Sequence, residues 1–577
     1  MKRLRAACTA GYERMAARAE LLDYINVFPV ADADTGVNLR LSLAPLRDME
    51  SANSRCLELL QHSATGNSGN IAAAFFVPLL TEQALNKSTG ELQSLAPVLA
   101  EGSRLARQAV LTPKDGTMLD VFAAFAFFHD SGAHLPPGRE LMDRLAARVS
   151  ATARILPELR QAGVVDAGAL GLFFFFEGFF AELLQDSGLC RPAQELFQGL
   201  LEPALTSEHK QDLGSCINLS LDQTDHSAVL ADPAFLATLG ESVVARQDGN
   251  ILRLHLHSQN PERLRQDIER LGCISQWRSE VIEAAKQDEQ SSPGLFHLLC
   301  DAAGSLPRPL ALKEHITLLD SYIICEGEAK PETLWQPAHI YQALRAGKKV
   351  STAQASTYER QEHFSHTLEL HGPSLYLSVG SVYTGNYANA LAWKEQHDDA
   401  DNFTVIDSGA ASGRLACIAL LASRASRRLN SKKALLAHVN WLCHNCEEYV
   451  FIDNLRYLAA GGRISKISGL AGGLLGLKPI ISPQAEGVRK LGVLRSQAAQ
   501  VDFALAQIKH LKHKGQIALA LLQFSDNEDW VREAMLSPLQ EMLPESEILM
   551  VPLSLTSGVH MGPGTWGLAV CPKFKEM

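Results

Sequence analysis

From residue 312 to the C-terminus, short apolar runs alternate with helical stretches. This alternation limits the fold more narrowly than any other feature of the chain. Segments 316–319, 375–379, 404–406, 449–452, 517–522 and 548–551 are each long enough for one buried strand. The pattern predicts open α/β layers with ligands at the carboxyl ends of strands. Asp320-Ser321, Asp407-Ser408 and Asp453-Asn454 stand at such ends. Residues 1–185 read differently. Leu141, Leu145 and Val149 recur at helical spacing, 92–111 is long and apolar-periodic, and Pro113, Pro136, Pro137 and Pro157 divide the helices. In between, 251–257 alternates with period two, as a strand does, and 263–271 reads as a helix. Residues 288–311 are rich in Gln, Ser, Pro and Gly around one apolar patch, which predicts a linker. The expected fold class is multidomain α and α/β. It comprises a helical region at 1–185, a small α+β middle domain at 205–287, the linker, and an α/β region at 312–577.

With 577 residues, three or four domains are expected. A hydrophobic share of 46% excludes a mostly disordered chain. Lys and Arg number 53 against 64 Asp and Glu, a formal net charge of -11. No basic run is present, which argues against nucleic acid as the main partner. The most apolar stretch, 171–180, reads as too short to span a membrane and carries Glu177. The 11 scattered cysteines fit reduced thiols. A cytoplasmic location is expected.

Three N-terminal segments carry phosphate chemistry. In Asn26-Val27-Phe28-Pro29-Val30-Ala31-Asp32-Ala33-Asp34-Thr35-Gly36-Val37-Asn38, two carboxylates two apart can converge on one hard cation such as Mg²⁺. Thr35, Gly36 and Asn38 add a hydroxyl, close backbone approach and an amide. The alternative is a turn and helix N-cap, which Asp and Thr also favour. Gly66-Asn67-Ser68-Gly69 precedes an apolar helical run, and its amides can cradle phosphates. Gly163-Val164-Val165-Asp166-Ala167-Gly168 is a third turn. In this order the three resemble the ATP-binding L domain (DhaL, or DAK2) of dihydroxyacetone kinases, in the branch found in bacterial fatty acid kinases. The resemblance implies an antiparallel helical barrel. It puts Mg²⁺ on Asp32 and Asp34, and ATP on Thr35, Gly36, Asn38, Gly66, Asn67, Ser68, Gly69, Thr117 and Asp166. Three residues depart from the family pattern: Ala33 replaces a glycine, Val37 a threonine and Asp115 a glutamate.

In the middle segment, His255 and His257 leave one face of a strand, and Cys216 lies on the polar face of another alternating run. Cys plus two His is a zinc set with one open position. Two surface histidines and an unrelated cysteine are the alternative. The stretch resembles the middle domain of fatty acid kinases, whose Cys-His-His cluster falls on Cys216, His255 and His257. The CxxC at Cys443-His444-Asn445-Cys446 has no second CxxC to complete a zinc site.

Toward the C-terminus, hydroxyls before helices, one Arg and one His suit a carboxylate. Thr352-Ala353-Gln354-Ala355-Ser356, Thr384-Gly385-Asn386-Tyr387, Asp407-Ser408, Gly462-Arg463-Ile464-Ser465, Lys478-Pro479-Ile480 and His560 follow in the order of the DegV family. This resemblance implies a two-lobed α/β fold that holds a fatty acid. Its carboxylate would be held by Thr384, Gly385, Arg463 and His560, with Thr352 nearby. Thr384 replaces a serine with another hydroxyl, and Ala353 replaces one without.

A kinase domain fused to an acyl carrier makes their encounter intramolecular, at roughly millimolar effective concentration for a short linker. The leading expectation is a fatty acid kinase that transfers the γ-phosphoryl of ATP to a carboxylate. Asp32, Asp34, Arg463 and His560 would be its catalytic residues. By resemblance, the acyl phosphate would feed phospholipid synthesis through a membrane-associated acyltransferase, and a homodimer is compatible with the chain. Two other readings stay open: a lipid-binding or sensing protein with a poorly active nucleotide domain, and a dihydroxyacetone-type kinase.

Overall fold

The run Gly171-Leu172-Phe173-Phe174-Phe175-Phe176 is apolar on every side, so the helix that carries it has to be enclosed. In the computed structural model it belongs to Ala167–Leu184, the central helix of the N-terminal half, with all of its phenylalanines buried. The described residues are 2–48, 53–81, 92–132, 134–204, 214–222, 233–248, 250–269, 272–281, 294–460 and 477–574. The chain divides into two units, Met1–Gln287 and Asp288–Met577.

In the first unit the described α-helices up to residue 184 are α1 (Lys2–Ala16), α2 (Ala19–Tyr24), α3 (Thr35–Leu43), α4 (Asn53–Ser63), α5 (Gly66–Phe76), α6 (Leu92–Ala109), α7 (Met118–Asp130), α8 (Gly138–Thr152), α9 (Pro157–Ala162) and α10 (Ala167–Leu184). Helices α1, α7 and α8 pack against α10. Phe75 stacks on Phe122 at 4.0 Å between centroids, and Phe125 lies 4.7 Å from Phe176. Each buried Phe contributes about 1.5–3 kcal/mol. By length and composition α10 could cross a membrane, in contrast to the shorter span read from sequence, and 83% of it is buried inside the unit. Glu177 is enclosed there with Arg14, whose Nη2 lies 2.7 Å from its Oε2. Residues beyond 185 continue this helical part. Phe197 packs edge-on against Phe173, and the Val165 amide donates to the Leu200 carbonyl at 3.1 Å.

The remainder of this unit is an antiparallel sheet of β1 (Ser215–Asp222), β2 (Glu241–Asp248), β3 (Ile251–Ser258) and β4 (Cys273–Val281), in the order β2-β3-β1-β4. Ile217, Leu219, Leu254 and Leu256 form its apolar face with Leu264 and Ile268 of α11 (Pro261–Glu269).

The second unit holds two main sheets. Strands β5 (His297–Asp301), β6 (Ile316–Leu319), β10 (Ser374–Ser378) and β11 (Phe403–Asp407) form a parallel sheet in the order β11-β10-β5-β6. Strands β12 (Glu447–Phe451), β13 (Lys478–Gln484), β14 (Gly487–Leu494), β15 (Ile517–Phe524), β16 (Glu547–Pro552) and β17 (Trp566–Pro572) form a six-stranded mixed sheet in the order β14-β13-β12-β17-β15-β16. Helix Ser412–Arg428 lies between them, sharing one core with Leu298 and Leu375 of the first sheet and Leu519 and Ala569 of the second. A small sheet adds β7 (Tyr322–Cys325), β8 (Glu328–Pro331) and β9 (Val350–Ala353).

The expected linker at 288–311 is corrected here. Its apolar patch is β5, an inner strand of the parallel sheet. The carboxylate of Asp301 at its end accepts hydrogen bonds from Arg360 Nη1, the Tyr376 hydroxyl, Asn386 Nδ2 and the Val379 amide, at 2.8–3.0 Å. A five-residue strand flanked by turn residues resembles a linker until its pairing partners are known.

Candidate functional site

The cleft in the first unit is built around the turn between α2 and α3. Asp34 stands at the N-cap of α3, but its side chain caps nothing. The cap comes from Asp23 in α2, whose Oδ1 accepts the Gly36 amide at 2.6 Å and the Val37 amide at 3.2 Å. The alternative role for the aspartate pair, capping the helix, is therefore filled by another residue. Asp32 and Asp34 instead face the cleft. Asn26 Nδ2 donates to Asp32 Oδ1 at 2.6 Å. Burial, then the charge of Asp34 and a hydrogen bond with it, push the Asp32 carboxyl up to about 8. Burial also raises Asp34. Two carboxyl groups that resist ionising together suit a divalent cation, whose charge makes both anionic forms favourable.

Gly66 opens α5 with φ +66, and a Cβ there would overlap the Asn38 side chain. Asn67 and Ser68 line the cleft, and the Ser68 hydroxyl is buried with no hydrogen-bond partner among the described residues. Thr65, the N-cap of α5, offers its amides no side-chain acceptor. An anionic ligand satisfies such a helix start. Thr35, Asn38, Thr117 and Asp166 also line the cleft. Asp166 also caps α10, accepting the Ala169 amide at 2.7 Å, and burial pushes its carboxyl up to about 7. Gly36 and Gly69 are packing positions in the wall behind the cleft, where a Cβ would overlap Ala19 and Ser42 respectively. The cavity within the cleft measures about 170 Å³.

The middle sheet closes one side of this cleft through Ser242, Val243, Val244, His255 and His257. The β1–β3 register places Cys216 opposite His257 and Asn218 opposite His255. The ligand atoms of Cys216, His255 and His257 lie within 4.8 Å of one another. His255 Nδ1 donates to Asn218 Oδ1 at 3.0 Å, and His255 Nε2 is buried with no partner among the described residues. Burial holds both histidines below their ordinary range, so both rings are neutral, as metal ligands must be. A thiol and two neutral imidazoles, one with an orphaned nitrogen, fit a zinc ion.

Three residues that build or line the cleft escaped the sequence reading. Asp23 and Asn218 act through tertiary contacts that carry no local signature. Lys114, whose ammonium sits 5.1 Å over the Phe28 ring, is the one Lys or Arg among the described lining residues. Its neighbour Asp115, expected by motif to matter, has a side chain 75% exposed and within 3.7 Å of Arg107.

In the second unit, Thr352 at the end of β9 and His560 in the helix Leu555–Met561 meet, with Oγ1 and Nε2 3.3 Å apart. Thr384 and Gly385 stand at the start of the helix Asn386–His397, and Thr384 Oγ1 accepts the Asn386 amide at 3.4 Å. Arg463 lies outside the described residues.

Comparison with known proteins divides the chain in the same way. Residues 29–181 match the model of the DAK2 domain, and 296–573 match that of "Uncharacterised protein, DegV family". Protein YloV of Bacillus subtilis is 28% identical over 286 residues, covering 44% of this chain, and the match takes in half of YloV's own length. A DegV domain-containing protein of Streptococcus pyogenes is 26% identical over 287 residues, covering 48% of this chain and 97% of that relative. Among solved structures, a fatty-acid-binding DegV family protein from Thermus thermophilus is 24% identical with a TM-score of 0.45. It covers 48% of this chain and 99% of its own. DegV from Bacillus subtilis, also titled a fatty acid binding protein, is 18% identical with a TM-score of 0.44, covering 49% of this chain and all of its own. By the two model matches, a DAK2 domain is followed in this chain by a DegV domain.

Proposed function

We propose that this fusion is an ATP-dependent fatty acid kinase: its DAK2 domain binds Mg-ATP, and its DegV domain presents a fatty acid carboxylate for phosphorylation to an acyl phosphate. The observation that carries the reading is the Asp32–Asp34 pair. It is released from helix capping by Asp23 and faces the open start of α5 across a cleft whose described lining includes Lys114. Mg²⁺ held by Asp32 and Asp34 would neutralise charge on the phosphates. The amides at the start of α5, with the Ser68 and Thr35 hydroxyls, would orient phosphate oxygens, and Lys114 would add positive charge. Thr352, Thr384 and His560, with Arg463, would hold the acceptor carboxylate. One carboxylate oxygen bonds to the γ-phosphorus while the bond to the β,γ-bridging oxygen breaks and ADP departs. The acceptor is already anionic, so the transfer needs no general base. The acyl phosphate would serve a membrane-associated acyltransferase.

A steady-state assay of ADP release tests this reading. Release should depend on both Mg²⁺ and added long-chain fatty acid. Release driven by dihydroxyacetone instead would reassign the acceptor. Asp115 favours a second reading, because its carboxylate is exposed beside Arg107 and is not among the residues lining the cleft. In that case the chain binds nucleotide and lipid without turnover, and native mass spectrometry would show both bound with no ADP formed.

A further inference from the structure

The middle sheet hydrogen-bonds the start of α5 through Asn218. Asn218 Oδ1 accepts from His255 Nδ1 at 3.0 Å and from the Gly66 amide at 3.3 Å. One oxygen therefore serves both a ligand of the Cys216–His255–His257 cluster and the first residue of the loop that lines the cleft. An amide oxygen has two lone pairs, so both bonds can exist together. The bond from Nδ1 fixes the tautomer of His255 and leaves its buried Nε2 as the basic nitrogen. Ligating histidines are ordinarily held in this way by a hydrogen-bond acceptor behind them. The contact has structural support on both sides. Val110 and Val244 form a β-bridge, and Arg246 Nη2 donates to the Gln61 carbonyl at 3.1 Å. The Cβ of a side chain at Gly66 would meet Asn38, itself a cleft residue, so a shift of this loop is felt in the cleft.

We infer that Asn218 is a positioning residue that couples divalent-cation binding at Cys216, His255 and His257 to nucleotide affinity at the Gly66–Ser68 loop. A cation on His255 Nε2 fixes the imidazole. The imidazole fixes Asn218, and Asn218 holds the Gly66 amide where the loop amides face the cleft. The inference rests on the reading of this cleft as a nucleotide site. Coupling of this kind is reciprocal, so the cation and the nucleotide must strengthen each other by the same factor.

The test uses the full chain and two binding measurements. Zinc affinity is obtained by chelator competition, with and without Mg²⁺ and a non-hydrolysable ATP analogue. Analogue affinity is obtained by calorimetry, with and without zinc. The expected result is a gain of about 5-fold or more in each, equal in size within error. Asn218→Leu should weaken zinc binding by about 10-fold or more and reduce the coupling factor to about one. Asn218→Asp, which keeps an acceptor oxygen, should retain coupling. Analogue binding that is indifferent to zinc in the wild-type chain overturns the coupling and leaves the nucleotide site standing. Failure to bind zinc also overturns it. Failure to bind the analogue in either state overturns the kinase reading and this inference with it. Undiminished coupling in a folded Asn218→Leu variant removes Asn218 from the path.

Discussion

The carboxylate of Asp23 accepts the Gly36 amide at 2.6 Å, although Asp34 occupies the N-cap position of that helix. Division of labour follows. Asp23 satisfies the helix, and Asp34 keeps its carboxylate for the cleft. Asp23→Ala should lower stability by about 1 kcal/mol, the usual cost of a lost cap. It should also weaken nucleotide binding, because Thr35 and Asn38 ride on α3. Thermal melts and calorimetry check both, and an unchanged melt would show that the cap is supplied elsewhere.

Between the paired aspartates, Ala33 adopts φ +54, a left-handed conformation that a Cβ disfavours. Ala33→Gly should raise stability by about 0.5–1 kcal/mol in chemical denaturation. Loss of stability would mean that the alanine methyl contributes more packing than its backbone strain costs.

The pH response of the metal-free chain follows from Asp32, whose carboxyl is pushed up to about 8 by burial and by Asp34. The folded chain holds this proton more tightly than the unfolded chain. Stability from this group is therefore lost as pH rises from about 4 to about 8. Mg²⁺ competes with the proton, so Mg-nucleotide should raise the melting temperature more at about pH 8.5 than at about pH 6. Asp32→Asn should abolish that difference, as scanning calorimetry at the two pH values would show.

Asp301 and Arg360 are each 2% exposed and paired at 2.9 Å. Arg360→Leu leaves the carboxylate buried without its cation, at a cost of about 3–5 kcal/mol. Denaturant unfolding of the full chain would register it, and a loss under about 1 kcal/mol would show that the other donors to Asp301 suffice.

This pair also marks where sequence reading stopped. Asp32 with Asp34, and Asn67 with Ser68, were legible because the chemistry of each pair lies within one short segment, and the alternating strands declared the α/β half. Segment 297–301 was not legible as a strand, because its five residues gain meaning only between β10 and β6. Asp23 and Asn218 were hidden for a related reason. Each acts on a glycine brought to it by tertiary packing, 13 and 152 residues away along the chain. Cys216, His255 and His257 stood between these cases. Period-two alternation placed each on a strand face, and only the β1–β3 register joins them.

Trapping the product tests the central claim most directly. Full-length chain, ATP, Mg²⁺, a long-chain fatty acid and hydroxylamine should yield the acyl hydroxamate, identified by mass. Asp34→Ala should yield none while still carrying lipid. Absence of hydroxamate from the wild-type chain at every acyl length, or undiminished product from Asp34→Ala, would contradict the account.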